Sequence, residues 1–239
     1  MRDAKIRLYV DHPLGDAQSV PLSREQAHYL FGVMRLGVGA AVLLFNGCDG
    51  EWRADVVEAG KRGGALVCAE QTSAQGAPCD LWLLFAPVKK TRTDFIVEKA
   101  VEMGVARIVP VQTEFTNAGR VPQARLQANA VEAAEQCGAT YVPEIAELSR
   151  LDRVLADLDD RQVMFCDEAL AGQGQDLPDA QGPWAVLIGP EGGFSDAERS
   201  RLSARETAHP VALGPRILRA ETAAVAALTL WQTRLGDWR

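Results

Sequence analysis

Short apolar stretches separated by polar turns run through the first seventy residues. Residues 5–10 (KIRLYV), Ala41–Phe45, residues 52–58 (WRADVVE) and 65–69 (ALVCA) are rich in β-branched or large apolar side chains and predict strands. Asn46-Gly47 and Asp49-Gly50 lie between the second and third, with the residue types of a hairpin turn. One stretch, 23–32, reads as helix, with Ser23 as N-cap and Gln26 three residues on. Several short strands in so few residues predict a small barrel or sandwich. Residues 72–78 (TSAQGAP) are small and polar with a Gly and a Pro, which places a boundary between domains over 1–73 and 74–239.

Beyond that boundary the period changes. Residues 81–88 (LWLLFAPV) are almost continuously apolar, and 93–103 then carries Phe95, Val97, Ala100, Val101 and Met103 at helical spacing before Gly104. Residues 107–111 form a second apolar run. Gln123–Cys137 predicts a helix stopped by Gly138, 141–145 a short strand, and 149–158 a helix capped by Ser149. Gln162–Cys166 and Trp184–Ile188 predict further strands, 210–213 a short run, and 223–235 a final helix. Strands apolar on both faces, alternating with helices, argue for a mostly parallel sheet covered on both sides.

Composition narrows the class. The chain has 239 residues, 47% hydrophobic and 24% charged, which excludes disorder as the main state. No run of eighteen apolar residues is present and the N-terminal segment lacks a seven-residue apolar stretch, so neither a membrane span nor a secretory signal is expected. Five cysteines form no C-x-x-C pair and no His stands at ligand spacing from another, so no metal and no disulfide framework is expected, in a cytoplasmic setting. Net charge is −7, with 8 Lys+Arg against 9 Asp+Glu in residues 1–73 and 17 against 23 beyond. Diffuse nucleic-acid affinity is not expected from that balance; a nucleic-acid partner needs a focused basic patch.

Three segments concentrate chemistry. Gly189-Pro190-Glu191-Gly192-Gly193 follows a buried-type strand and precedes Ser195-x-x-Glu198, the residues of a capping box. Glycines between a strand end and a helix start allow a ligand against bare backbone, or simply a tight turn. The P-loop Gly-Lys-Ser/Thr and the dinucleotide G-x-G-x-x-G are both missing, which removes a nucleotide hydrolase and an ordinary dinucleotide site. Leu213-Gly214-Pro215-Arg216-Ile217-Leu218-Arg219-Ala220-Glu221-Thr222 sets two arginines and a glutamate in one structured bend. Lys89, Lys90 and Arg92 put three cations at the end of the first strand of the large domain, a place for phosphate contacts or a solvated face.

LIGPEGGFSDAE (187–198) and LGPRILRAETAAVAAL (213–228) resemble the two C-terminal signature segments of the RsmE family, ribosomal small-subunit RNA uridine-N3 methyltransferases of the SPOUT superfamily. FIVEKAVEMGVARIVPVQ (95–112), residues 132–145 and HYLFGVMRLGVGAAVLLFNG (28–47) are also similar to family segments, so the resemblance spans nearly the whole chain. It departs at Phe115-Thr116, where relatives commonly have Arg-Ser, and at Ala139, where an arginine is frequent.

The resemblance implies a PUA-like RNA-binding β-barrel followed by a SPOUT-type α/β domain with a C-terminal trefoil knot, an exception to the rule against knots. It implies S-adenosylmethionine as cofactor, a homodimer, and 16S rRNA in the small ribosomal subunit as partner. Carried onto this sequence, the cofactor contacts are Cys166, Gly189, Pro190, Glu191, Gly192, Gly193, Leu213, Gly214, Ile217, Leu218 and Thr222. Arg219 is the expected stabiliser of charge on the uracil carbonyl oxygens, and Glu221 either orients Arg219 or acts as base. RNA contacts are expected at Lys89, Lys90 and Arg92, with Arg7 and Arg35 in the small domain. A knotted methyltransferase for another RNA nucleotide, and an RNA-binding assembly factor without catalysis, are the alternatives.

Overall fold

The structure, a computed structural model, describes residues 4–117, 121–172, 177–180 and 182–239. It divides into two compact units, Met1–Ala77 with Ala134–Val142, and Pro78–Ala133 with Pro143–Arg239.

The first unit is built on strands β1 (Arg7–Tyr9), β2 (Ser19–Pro21), β3 (Ala41–Phe45), β4 (Glu51–Ala59) and β5 (Gly64–Ser73). They form one sheet in the order β1-β3-β4-β5-β2, with β1 parallel to β3 and the other pairs antiparallel. Alternation puts Val42, Leu44, Ala54, Val56, Leu66 and Cys68 on the buried face. The helix anticipated over 23–32 is two pieces. Helix α1 (Arg24–Ala27) starts at a full capping box of Ser23 and Gln26. It then widens into a π-helical turn, His28–Val33, where the Met34 N–H reaches the Tyr29 carbonyl at 2.9 Å. That turn buries Leu30 and leaves Tyr29, Val33 and Met34 exposed.

The second unit holds the parallel sheet. Its elements are β6 (Leu81–Phe85), α2 (Lys90–Glu102), β7 (Arg107–Gln112), α3 (Gln123–Cys137), β8 (Glu144–Ile145), β9 (Ser149–Arg150) and α4 (Leu151–Ala156). Then follow β10 (Gln162–Cys166), β11 (Trp184–Ile188), α5 (Asp196–Ser203), β12 (Ala208–Val211) and α6 (Ala220–Arg234). The last turn of α3 belongs to the first unit. The order is β12-β10-β11-β6-β7-β8, with β9 also on β7, and every pair is parallel. All five residues of β11 are buried, as a strand covered on both faces requires.

Several expected boundaries move: α6 begins at Ala220 and not at 223, and the run expected over 210–213 is a strand over Ala208–Val211. Ser149 is no helix cap: Ser149–Arg150 pair with β7, and α4 begins after Arg150. Helix α2 begins at Lys90, one turn before the expected start, because Thr93 closes the entry turn. Its hydroxyl donates to the Val88 carbonyl at 3.0 Å and accepts from the Val88 N–H at 3.1 Å. The basic cluster therefore sits on a helix start and not in a loop. Fully buried Gln232 on α6 donates to the Met103 carbonyl at 2.6 Å and so anchors α6 beside the end of α2. Among the described residues no helix is long and apolar enough to cross a membrane.

Candidate functional site

In a parallel sheet all carboxyl ends share one edge, where ligand crevices form. Here the loops after β10, β11 and β12 meet at that edge. The loop after β11 is set by Ser195 and Glu198, which form the anticipated capping box at the start of α5. The Glu198 carboxylate accepts from the Ser195 N–H and also from the Glu114 N–H after β7, each at 2.9 Å. The loop therefore has little freedom.

Its glycines answer to protein neighbours. A side chain on Gly189 would press on the Phe194 ring, one on Gly192 on Phe115, and one on Gly193 would run into the Glu168 carboxylate. Gly193 also sits at φ +68°, a region that disfavours side chains. A side chain is therefore crowded at Gly189 and Gly192 and excluded at Gly193 without a shift of Glu168. Gly214, at φ +109°, has open space where a Cβ would stand.

Cys166, Gly189, Pro190, Glu191, Leu213, Gly214, Ile217 and Leu218 line one cleft. Gly192, Gly193 and Thr222 do not line it: the first two are turned to Phe115 and Glu168, and Thr222 is exposed on α6. Burial pushes the Cys166 thiol up to about 12, so it stays a neutral, apolar-like wall. The cleft adds residues that the motifs do not single out, chiefly Asp167 and Glu168 after β10. Arg199 of α5 pairs with Asp167 and with Glu168, each at 3.0 Å. Asp167 also caps the 3-10 turn Glu168–Leu170 through the Ala169 N–H. An acidic pair at the carboxyl end of a mostly apolar strand was the available signal.

Arg219 is the N-cap residue of α6, and its exposed guanidinium makes no hydrogen bond or ion pair among the described residues. Glu221, in the first turn of α6, pairs with Arg92 and not with Arg219: Arg92 Nε lies 3.4 Å from Glu221 Oε1. Arg92 Nη1 lies 3.4 Å from Glu191 Oε1, so this one arginine bridges two carboxylates. Glu221 Oε2 is buried and has no hydrogen-bond partner among the described residues.

A second cleft, about 890 Å³, is lined by residues that include Lys89, Lys90, Thr93, Asn117, Arg125 and Glu191. Glu191 is the wall common to both clefts. Lys89 and Lys90 are exposed at the start of α2. In the first unit, Arg35 is exposed at φ +56°, next to exposed Val33 and Met34. Arg7 is different. Its guanidinium pairs with Glu51, lies over the Phe45 ring at 4.4 Å, and donates to the carbonyls of Ala134, Glu135 and Ala139. A guanidinium engaged on so many sides has little left for a phosphate; it closes the end of α3. Ala139 contributes only its carbonyl there, so the departure at that position leaves this contact untouched.

The fold and the cleft place the protein in a defined class. The chain belongs to the RNA methyltransferase family, whose RNA methyltransferase domain matches residues 75–232 and whose RNA methyltransferase PUA domain matches residues 22–67. Curated relatives that this chain matches over most of its length are named ribosomal RNA small subunit methyltransferase E. The Rickettsia conorii protein is 28% identical over 96% of this chain and 95% of its own length, and that of Synechocystis is 30% identical over 88% and 71%. The Neisseria gonorrhoeae protein of the same name, solved bound to S-adenosyl methionine, superposes with a TM-score of 0.88 at 28% identity, covering 98% of this chain and 99% of that one. A Legionella pneumophila protein in complex with the bound cofactor SAM gives 0.87 at 30% identity, covering 95% and 97%. The resemblance read from the signature segments is thus a family relationship.

Proposed function

We propose that this protein transfers the methyl group of S-adenosylmethionine to N3 of a uridine in 16S rRNA of the small ribosomal subunit, as a cytoplasmic homodimer. The observation that carries the reading is the cleft itself. Two glycine-bearing loops converge at the carboxyl edge of a parallel sheet, with Arg219, unpaired among the described residues, at the start of the helix that follows.

The residues present suit that cofactor. Ile188, Val211, Leu218 and Ala223 offer apolar walls to a purine. Glu168 and Glu191 offer carboxylates to a ligand that carries a sulfonium and an ammonium group. The open space at Gly214 is a stretch of bare backbone that a Cβ would narrow. When bound, S-adenosylmethionine supplies an electrophilic methyl group.

The chain's own task is to hold the acceptor in line and manage one proton. Uracil N3 is protonated at neutral pH and is a poor nucleophile in that form. The Arg219 guanidinium stabilises the charge that spreads onto the two carbonyl oxygens as N3 loses its proton. Glu221, in the first turn of α6 two residues after Arg219, is the carboxylate assigned to accept this proton. Lys89 and Lys90 in the neighbouring cleft, and Arg35 in the first unit, supply phosphate contacts.

Two further parts of the reading come from the family resemblance. The order β12-β10-β11 sends the chain back past β10 before α6, which supports the threaded C-terminal arrangement. Ile217, on the cleft wall and 75% exposed, supports a second copy covering that rim.

The deciding experiment offers small ribosomal subunits from cells lacking the modification, with S-adenosylmethionine as donor, and analyses the product nucleosides by mass spectrometry. One methyl on N3 of a single uridine is expected. A methyl on another nucleotide overturns the substrate assignment. No transfer, together with no calorimetric heat for S-adenosylmethionine, returns the protein to RNA binding alone.

A further inference from the structure

Arg92 belongs by sequence to a basic run with Lys89 and Lys90, and a run of that kind reads as a phosphate grip. The structure separates it from its neighbours. Lys89 and Lys90 stand exposed, whereas the Arg92 side chain is only 32% exposed and faces two carboxylates. Those carboxylates come from distant parts of the chain: Glu191 from the loop after β11 and Glu221 from the first turn of α6. Three elements of the same unit thus meet at one guanidinium.

The state of Glu221 explains why that matters. Its side chain is 17% exposed, and Oε2 is buried with no donor among the described residues. An ionised carboxylate in that position is costly unless a cation lies beside it. Arg92 is that cation, and it engages Oε1, the other oxygen. At 3.4 Å both contacts are long for charge-assisted pairs. A planar guanidinium reaches two acceptors at fixed angles, so the position of Glu191, on the wall between the clefts, is coupled to that of Glu221.

We propose that Arg92 is a positioning residue of the methyl-transfer site and not a phosphate contact. It holds the carboxylate of Glu221 by Oε1 and links it to the loop shared by the two clefts. The inference rests on the assignment of Glu221 to the reaction.

The test combines turnover with RNA binding measured without cofactor. Arg92→Gln should lower kcat about tenfold to a hundredfold. The KM for RNA and the salt slope of RNA binding should stay at wild-type values, and calorimetric binding of S-adenosylmethionine should persist. Arg92→Lys, which keeps the charge but loses the fork, should recover part of the lost kcat and guards against a folding defect, as does an unchanged melting temperature. In the double variant Arg92→Gln/Glu221→Gln, the loss should be no greater than in Glu221→Gln alone. A salt slope lower by about one unit, with wild-type kcat at saturating RNA, makes Arg92 a phosphate contact and overturns the proposal. Losses that multiply independently in the double variant overturn it as well. Wild-type turnover in Glu221→Gln instead removes the assignment beneath it. An impaired Glu221→Gln beside an unimpaired Arg92→Gln leaves that assignment standing and removes the inference alone.

Discussion

The carboxylate of Glu198 accepts the backbone N–H of Glu114 at 2.9 Å, across 84 positions of sequence. Its second oxygen accepts the Ser195 N–H at the same distance. One buried side chain thus joins the turn after β7 to the loop that forms the cleft. Glu198→Ala leaves two N–H groups without acceptors, a cost on the order of 2–4 kcal/mol. For a chain of this size that corresponds to a melting temperature lower by roughly 5–10 °C, readable by calorimetry. Affinity for S-adenosylmethionine should fall with it, because the cleft loop loses its anchor.

Gly193 and Gly214 make a paired test. Both have positive φ, so alanine is strained at either. Only at Gly193 does the added methyl meet a side chain, the Glu168 carboxylate that Arg199 holds in the cleft wall. Gly193→Ala should therefore lower the melting temperature more than Gly214→Ala. Gly214→Ala intrudes on open space in the cleft, so its effect should be mainly on cofactor affinity, measured by calorimetry.

His209 on β12 gives a pH prediction. Its Nε2 lies 2.7 Å from Gln162 Oε1 and its ring packs on Trp184, with centroids 5.4 Å apart. Burial lowers its pKa below the ordinary value near 6.5. As pH drops through that value the unfolded chain binds a proton that the folded one refuses, so stability falls, and it continues to fall until folded His209 itself titrates. At pH 7.5 the effect is absent. Melting temperatures between pH 7.5 and 5.5 should decline more steeply in the wild type than in His209→Gln.

Lys90 is exposed beside the second cleft, without the carboxylates that hold Arg92. Lys90→Ala should reduce the salt slope of RNA binding by about one unit and leave kcat at saturating RNA unchanged. An unaltered slope assigns that lysine to solvent.

Local rules account for what could be read early. Ala41–Phe45, Gln162–Cys166 and Trp184–Ile188 keep their expected bounds because a strand buried in a sheet needs an uninterrupted or alternating apolar run, and polar residues end it. The capping boxes at Ser23 and Ser195 are legible because all their partners lie within three residues. Strand β2 was not legible. Its three residues include a proline, and it exists only through pairing with β5 at the sheet edge.

The order of apolar and polar residues determined by itself the two kinds of sheet, the two helix starts with a capping box and the loops at which chemistry concentrates, because each of these depends on neighbours a few residues away. Which charges face one another was decided only by the tertiary structure. Arg92 turns to Glu221 and Glu191, Arg7 to Glu51 and the carbonyls at the end of α3, and Arg199 to Asp167 and Glu168. A guanidinium takes whichever acceptors the fold brings within reach, and Coulomb attraction depends on distance in space, which separation along the chain does not encode.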